Sequence, residues 1–257
     1  LSDPGKHMAC QRKRQSSSPA SLPDMENEHH TAARLAILDI DGTLTDTVAL
    51  HQAALEDAMR SFSFPALDTD WAGYRHHTDS GIFAEAWERA GWGSPAEADR
   101  RRLEDRFNQA FAALLPSHPI REIPGAAAFV ELLRREGWRV SFATGGLREA
   151  SCIKLQATGI PYTERLLATA SEHLSREEIV SAAIHAAALD STGSLPVSVG
   201  DGLWDLLTAH ALGVSFLGVG MGAKAQLLAD RGATVVRDFL DQRHCLTVLS
   251  DLATLGT

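Results

Sequence analysis

The stretch Leu35-Ala36-Ile37-Leu38-Asp39-Ile40-Asp41-Gly42-Thr43 runs four apolar residues straight into a carboxylate. A continuous apolar run of this length suits a strand buried on both faces of a parallel sheet. Two aspartates at i and i+2, just past its end, emerge at the carboxyl edge of the sheet, where open α/β folds receive their ligands. Gly42 permits the tight turn that folds the backbone over a bound group. An Asx-type turn accounts for Asp41-Gly42 but not for a second aspartate closing an apolar strand.

Three further segments read the same way: Val140 to Thr144, Val197 to Gly200 and Ser215 to Val219. Helical patterns lie between them. One starts at Pro124 and closes at Gly137, with Phe129, Leu132 and Leu133 on its apolar face. A second runs from about Ser175 to Leu189, with Ile179, Ala183 and Ala187 in one stripe, and a third follows Trp204 through Ala211 to Gly213. This alternation predicts a doubly wound, Rossmann-like α/β fold with a parallel sheet. From Thr47 to Arg121 only helical patterns occur, at roughly 47–62, 81–90 and 96–115, before Pro116 and Pro119 lead back. The predicted organisation is therefore a core of residues 34–46 and 122–257, interrupted by an all-helical cap of residues 47–121. Residues 1–33, rich in Ser, Pro, Gln, His and charge, read as a disordered tail or expression remnant.

The bulk properties narrow the function classes. With 257 residues, 44% hydrophobic and 22% charged, the chain is ordinary for a globular protein with a sizeable core. A net charge of −9 speaks against a nucleic-acid-binding surface. An acidic protein that takes an anionic substrate needs a local cation, such as a metal. Cys10, Cys152 and Cys245 are odd in number and far apart, which predicts free thiols in a reducing compartment. No apolar run approaches ~18 residues and no secretory signal is visible, so the expectation is a cytoplasmic protein with no membrane partner.

A second acidic motif, Gly200-Asp201-Gly202-Leu203-Trp204-Asp205, again follows an apolar strand. Asp201 leaves the sheet edge, and Asp205 follows one helical turn later on the same side. Up to four carboxylates at one end of one sheet repel one another unless a cation neutralises them. Hard oxygen ligands of this kind, with a phosphate to share, point to Mg²⁺. Thr144 ends another strand before Gly145-Gly146, and its hydroxyl and the adjacent amides suit an oxyanion. Two cations are candidates for the same site: Arg176, opening a helix, and Lys154, ten residues after Thr144.

Taken jointly, these segments resemble the haloacid dehalogenase superfamily, in its phosphoglycolate phosphatase and β-phosphoglucomutase-like branch, over roughly residues 35–250. The motifs that carry the resemblance are Asp39 to Thr43, Thr144, and Gly200, Asp201 and Asp205. The run through Ile123-Pro124-Gly125, Leu132-Leu133 and Gly137 supports it. A Lys is usual at the third motif, where this chain has Ser175-Arg176-Glu177. Arg keeps the charge and grips phosphate bidentately, but does not copy a compact ammonium. The resemblance implies a phosphatase in which Asp39 is the nucleophile and Asp41 the acid and base. Asp39, Asp41 (through its carbonyl), Asp201 and Asp205 would hold Mg²⁺, and Thr144 and Arg176 would stabilise the transferring phosphoryl group. Gly42, Thr43, Gly145, His51 and Lys154 are the implied substrate contacts, and the substrate is a small phosphorylated metabolite. Asp41 disfavours a dehalogenase or phosphonatase. A sugar-phosphate mutase or a non-catalytic regulatory protein of the same fold are the alternatives, and neither the substrate nor the oligomeric state is specified. The polar segment Arg75 to Gly81 reads as a helix start capped by Asp79 or Ser80, or as a specificity loop. Gly218, Gly220 and Gly222 read as a turn rather than a phosphate loop.

Overall fold

The computed structural model describes residues 34–188 and 195–255, so the readings made for residues 1–33, Cys10 and Leu189 lie outside them. Strand β1 (Arg34–Leu38) pairs in parallel with β2 (Arg139–Ala143) on one side and with β4 (Leu195–Gly200) on the other. With β3 (Leu167–Ala168), β5 (Ser215–Val219) and β6 (Thr234–Val236) they form one parallel sheet in the order β3-β2-β1-β4-β5-β6. The order of strands reverses between β1 and β4, which makes the carboxyl ends of these two neighbours the favoured crevice for a ligand.

The strand period of two sends alternate residues of β1 to opposite faces. Leu35 and Ile37 enter one buried cluster with Ile179 and Ala183 of α6 (Arg176–Ala188) and Leu206 of α7 (Leu203–Ala211). Ala36 and Leu38 enter the other with Phe129 and Leu133 of α4 (Ala126–Arg135) and Leu249 of α9 (Gln242–Leu255). That is why the strand carries no polar residue between Arg34, at its half-buried start, and Asp39, just past its end.

Helices α1 (Val48–Arg60), α2 (Asp79–Arg89) and α3 (Glu97–Leu114) form an insertion between β1 and β2. Leu50, Ala54, Leu55 and Ala58 share one face of α1 by their helical spacing and bury against Phe107 and Phe111 of α3. The α3 N-terminus is set by Asp99, whose carboxylate accepts the Ala96 N–H at 3.1 Å. Among the described residues no helix is long and apolar enough to cross a membrane. Cys152 and Cys245 are free.

The differences from the sequence reading are local. Strands β3 and β6 are two and three residues long, too short to show a period. Helices α5 (Arg148–Ala157), α8 (Gly222–Asp230) and α9 were not singled out by the pattern reading. Helix α2 begins at Asp79, and its cap is neither Asp79 nor Ser80. Thr78 takes that role, its hydroxyl accepting the Gly81 N–H at 3.0 Å. The Asp79 carboxylate is thereby free for another use, described below.

Candidate active site

The Asp39 N–H donates to the Val199 carbonyl at 3.0 Å, which extends the β1–β4 pairing by one residue and sets Asp39 beside Asp201. Asp205 lies in the first turn of α7, where one of its oxygens accepts the Gly202 N–H at 3.0 Å. Asp39, Asp201 and Asp205 each place a carboxylate oxygen within 4.8 Å of the others, and all three are buried. Burial first, and the neighbouring Asp205 second, raise the Asp39 carboxyl well above the usual carboxylate range. Burial, with repulsion from Asp201, pushes Asp205 up to about 6. Close, buried carboxylates behave this way unless a cation meets them. Three hard oxygen donors in a buried cluster fit a divalent ion such as Mg²⁺.

Cations of the chain itself converge on this cluster. The Arg176 guanidinium donates to Asp39 at 3.2 Å, to Asp205 at 2.8 Å and to the His77 carbonyl at 3.0 Å. Lys224 of α8, which no sequence signal marked beyond the glycine turn before it, reaches Asp201 at 3.1 Å. Gly42 closes the loop over the cluster with φ at +84°, and a Cβ there would stand 2.4 Å from an Asp201 oxygen. Gly42→Ala is therefore expected to destabilise the fold by about 1–3 kcal/mol through backbone strain alone. The check is a lower denaturant midpoint at unchanged slope; an unshifted midpoint would mean that the loop yields.

The Asp41 carboxylate belongs to a different set of partners. Its two oxygens lie 2.7 and 2.8 Å from the Lys154 ammonium, and the Thr47 hydroxyl donates to it at 2.5 Å. Lys154 is fully buried. Its ammonium also lies 2.8 Å from His51 Nδ1. An ammonium has only donors, so Nδ1 accepts and the imidazole proton sits on Nε2. Nε2 then donates to Asp79 at 2.9 Å, and the second Asp79 oxygen accepts the Leu147 N–H at 3.1 Å. Phe107 packs on His51 at 4.9 Å, and the Phe111 ring lies 5.3 Å from the Lys154 Nζ. Burial alone would raise the Asp41 carboxyl, but Lys154, by its charge and its hydrogen bond, with the Thr47 hydroxyl beside it, outweighs burial and holds it at about 2.

Thr144 directly follows β2, and its hydroxyl accepts the Gly146 N–H at 3.1 Å. Gly145 is packed so closely under the insertion that a Cβ would meet the His77 carbonyl at 2.6 Å. A cavity of about 350 Å³ opens here. Of the residues singled out in the sequence, Asp41, His51, Thr144, Gly145, Arg176 and Asp201 line it. Asp39, Gly42, Thr43, Lys154 and Asp205 are not on its wall. Thr43 is buried and donates to Asp39 at 3.2 Å. Besides Lys224, three contributors escaped the sequence reading: Asp79, read as a cap, Thr47, and Trp204, an unremarked position inside the second acidic motif. The ring of Trp204 stacks on His77 at 5.1 Å.

Residues 33–213 match the model of a family described as haloacid dehalogenase-like hydrolase. A protein of Dickeya dadantii (strain 3937) named "Probable phosphatase IndB" is 26% identical over 224 residues, 84% of this chain and 96% of that protein. A hydrolase from Pseudomonas syringae superposes with a TM-score of 0.65 at 24% identity, over 83% of this chain and 98% of that one. CbbY from Rhodobacter sphaeroides superposes with a TM-score of 0.58 at 20% identity, over 80% of this chain and 95% of that one. It was solved with phosphate and, as a mutant, with xylulose-(1,5)bisphosphate. Both superpositions speak to the fold.

Proposed function

The chain belongs to the haloacid dehalogenase-like hydrolases, and from that premise we propose that it is a Mg²⁺-dependent phosphatase acting on a small phosphate monoester through an aspartyl-phosphate. The observation that carries the reading is the buried Asp39–Asp201–Asp205 cluster, set beside Asp41 and Thr144 at the carboxyl ends of adjacent strands. IndB, with its name as a probable phosphatase, supports the same class. Residues 34–46 and 122–257 form the catalytic core in this reading, and residues 47–121 the cap.

An Asp39 oxygen attacks phosphorus in line, the bond from phosphorus to the alcohol oxygen breaks, and Asp41 protonates the leaving alkoxide. Asp41, again a carboxylate, then takes a proton from a water whose oxygen attacks the same phosphorus, and the Asp39 carboxylate leaves with inorganic phosphate released. At about 2, Asp41 rests in the base form; the negative charge of an arriving phosphate favours the proton it needs for the first half. Arg176 spans Asp39 and Asp205, so it exchanges a carboxylate for phosphoryl oxygens as substrate enters. Thr144 and the amides after it hold the remaining oxygens. Asp39, Asp201 and Asp205 would hold Mg²⁺, which when bound supplies positive charge against these carboxylates and the phosphoryl oxygens.

The test is release of inorganic phosphate from a panel of phosphate monoesters with Mg²⁺ and with excess EDTA. Turnover with Mg²⁺ and a loss on the order of 100-fold or more on chelation are expected. An unchanged rate in EDTA, or no turnover of any member, would overturn the reading. A sugar-phosphate mutase would use the same two aspartates; phosphate release without a bisphosphate activator separates the two.

A further inference from the structure

The cavity wall combines two chemistries. Around Asp41 and Asp201 it carries Thr144, the Gly145-Gly146 backbone and Arg176, groups suited to a phosphoryl group. The wall also carries the apolar side chains of Val48, Leu55, Trp71, Ile82 and Trp204. His77 braces Trp204, the two rings lying 27° from parallel, so a flat indole is fixed at the seam of insertion and core. Arg176 is the one lysine or arginine lining the cavity among the described residues. Asp39, Asp205 and the His77 carbonyl already engage it. Besides Asp41 and Asp201, the carboxylates on the wall are Asp70 and Asp79, the latter engaged by His51 and the Leu147 N–H.

From this geometry we infer that the substrate carries a single phosphate, and that its alcohol is uncharged and bears a flat ring. The inference rests on the phosphatase reading above and narrows it. A second anion, whether a carboxylate or another phosphate, would leave water for an apolar wall with acidic neighbours and no further lysine or arginine on it. That desolvation is far more costly than moving a ring or a hydroxyl. A ring instead gains apolar burial and a stacking face on Trp204. A cavity of about 350 Å³ is at the small end for ligand sites and suits one ring on a short chain. Gln52 and Asp70, both on the wall, offer hydrogen-bond partners to hydroxyls of such an alcohol.

The experiment compares kcat/KM for 2-phenylethyl phosphate, 2-phosphoglycolate and a sugar bisphosphate, all with Mg²⁺. The first two release primary alkoxides, so their difference reports chiefly on the wall. A preference of at least ~10-fold for 2-phenylethyl phosphate is expected. Trp204→Ala should shrink that preference through KM, and Val48→Lys should shift it towards 2-phosphoglycolate. Equal efficiency, or a preference for either doubly anionic substrate, overturns the inference and leaves the phosphatase reading standing. So does an unchanged preference in both folded variants. Turnover of none of the three, nor of any other monoester, removes the phosphatase reading and this inference with it.

Discussion

An Asp39→Asn protein is expected to fold as the parent does and to release inorganic phosphate at least ~10⁴-fold more slowly. The amide keeps the shape of the side chain, so the Thr43 hydroxyl retains a partner of the same size, and the backbone N–H of residue 39 still donates to the Val199 carbonyl. It lacks the oxygen nucleophile on which the two-step route depends. The electrostatics let the loss of activity be told apart from a loss of fold. Asp39 has a raised carboxyl because burial and Asp205 oppose its charge. A carboxyl whose pKa rises on folding weakens the fold at pH above its unfolded value, and that penalty shrinks as pH falls from the raised value towards the unfolded one. Removing the charge should therefore leave the metal-free Tm equal to the parent's or higher, with Arg176 still held by Asp205. Mg²⁺ should raise the Tm of the parent by mass action, and that of the variant less. Activity within tenfold of the parent would remove Asp39 as the nucleophile.

The parts of the site legible in the sequence are those coded beside a strand end. Asp39, Asp41, Thr144 and Asp201 each stand within a few residues of an apolar run, and the run fixes which edge of the sheet they reach. Asp205 follows from the helical turn after Asp201. Arg176 stood out by its place in the motif order, and the fold brings it onto Asp39 and Asp205. Lys154 is different. Within α5 it reads as a solvated helix charge, yet it is buried with the Phe111 ring of α3, more than forty positions earlier in the chain, and with His51 of α1 beside its ammonium. Asp79 was hidden for a related reason: the cap it was expected to form is made by Thr78, and its carboxylate turns to His51 and the Leu147 N–H. Tertiary packing decides such uses, and no local period records them.

Lys154 carries the second large effect. Lys154→Met keeps the length of the stem and deletes the ammonium, leaving Asp41 in a mostly buried position with Thr47 as its remaining close donor. Breaking a buried pair from one side typically costs about 3–5 kcal/mol, because a charge is left without its counterion. The sign follows from Asp41. Its carboxyl is lowered from 3.8 to about 2 in the folded chain, so the pair stabilises above the unfolded value and that contribution is lost as pH falls through about 2. The variant should therefore be less stable than the parent at neutral pH, with the difference closing in strong acid. Adding Asp41→Asn removes the stranded charge, so the double variant should regain most of the loss, since paired neutral replacements of a buried ion pair are often close to neutral. Activity should not return with it. Lys154→Met is expected to lower kcat roughly 10²–10³-fold, the scale of a misplaced acid–base group, with KM little changed because Lys154 is not on the cavity wall. A kcat within threefold of the parent's, or a double variant no more stable than Lys154→Met, would show that the ammonium neither positions Asp41 nor neutralises it.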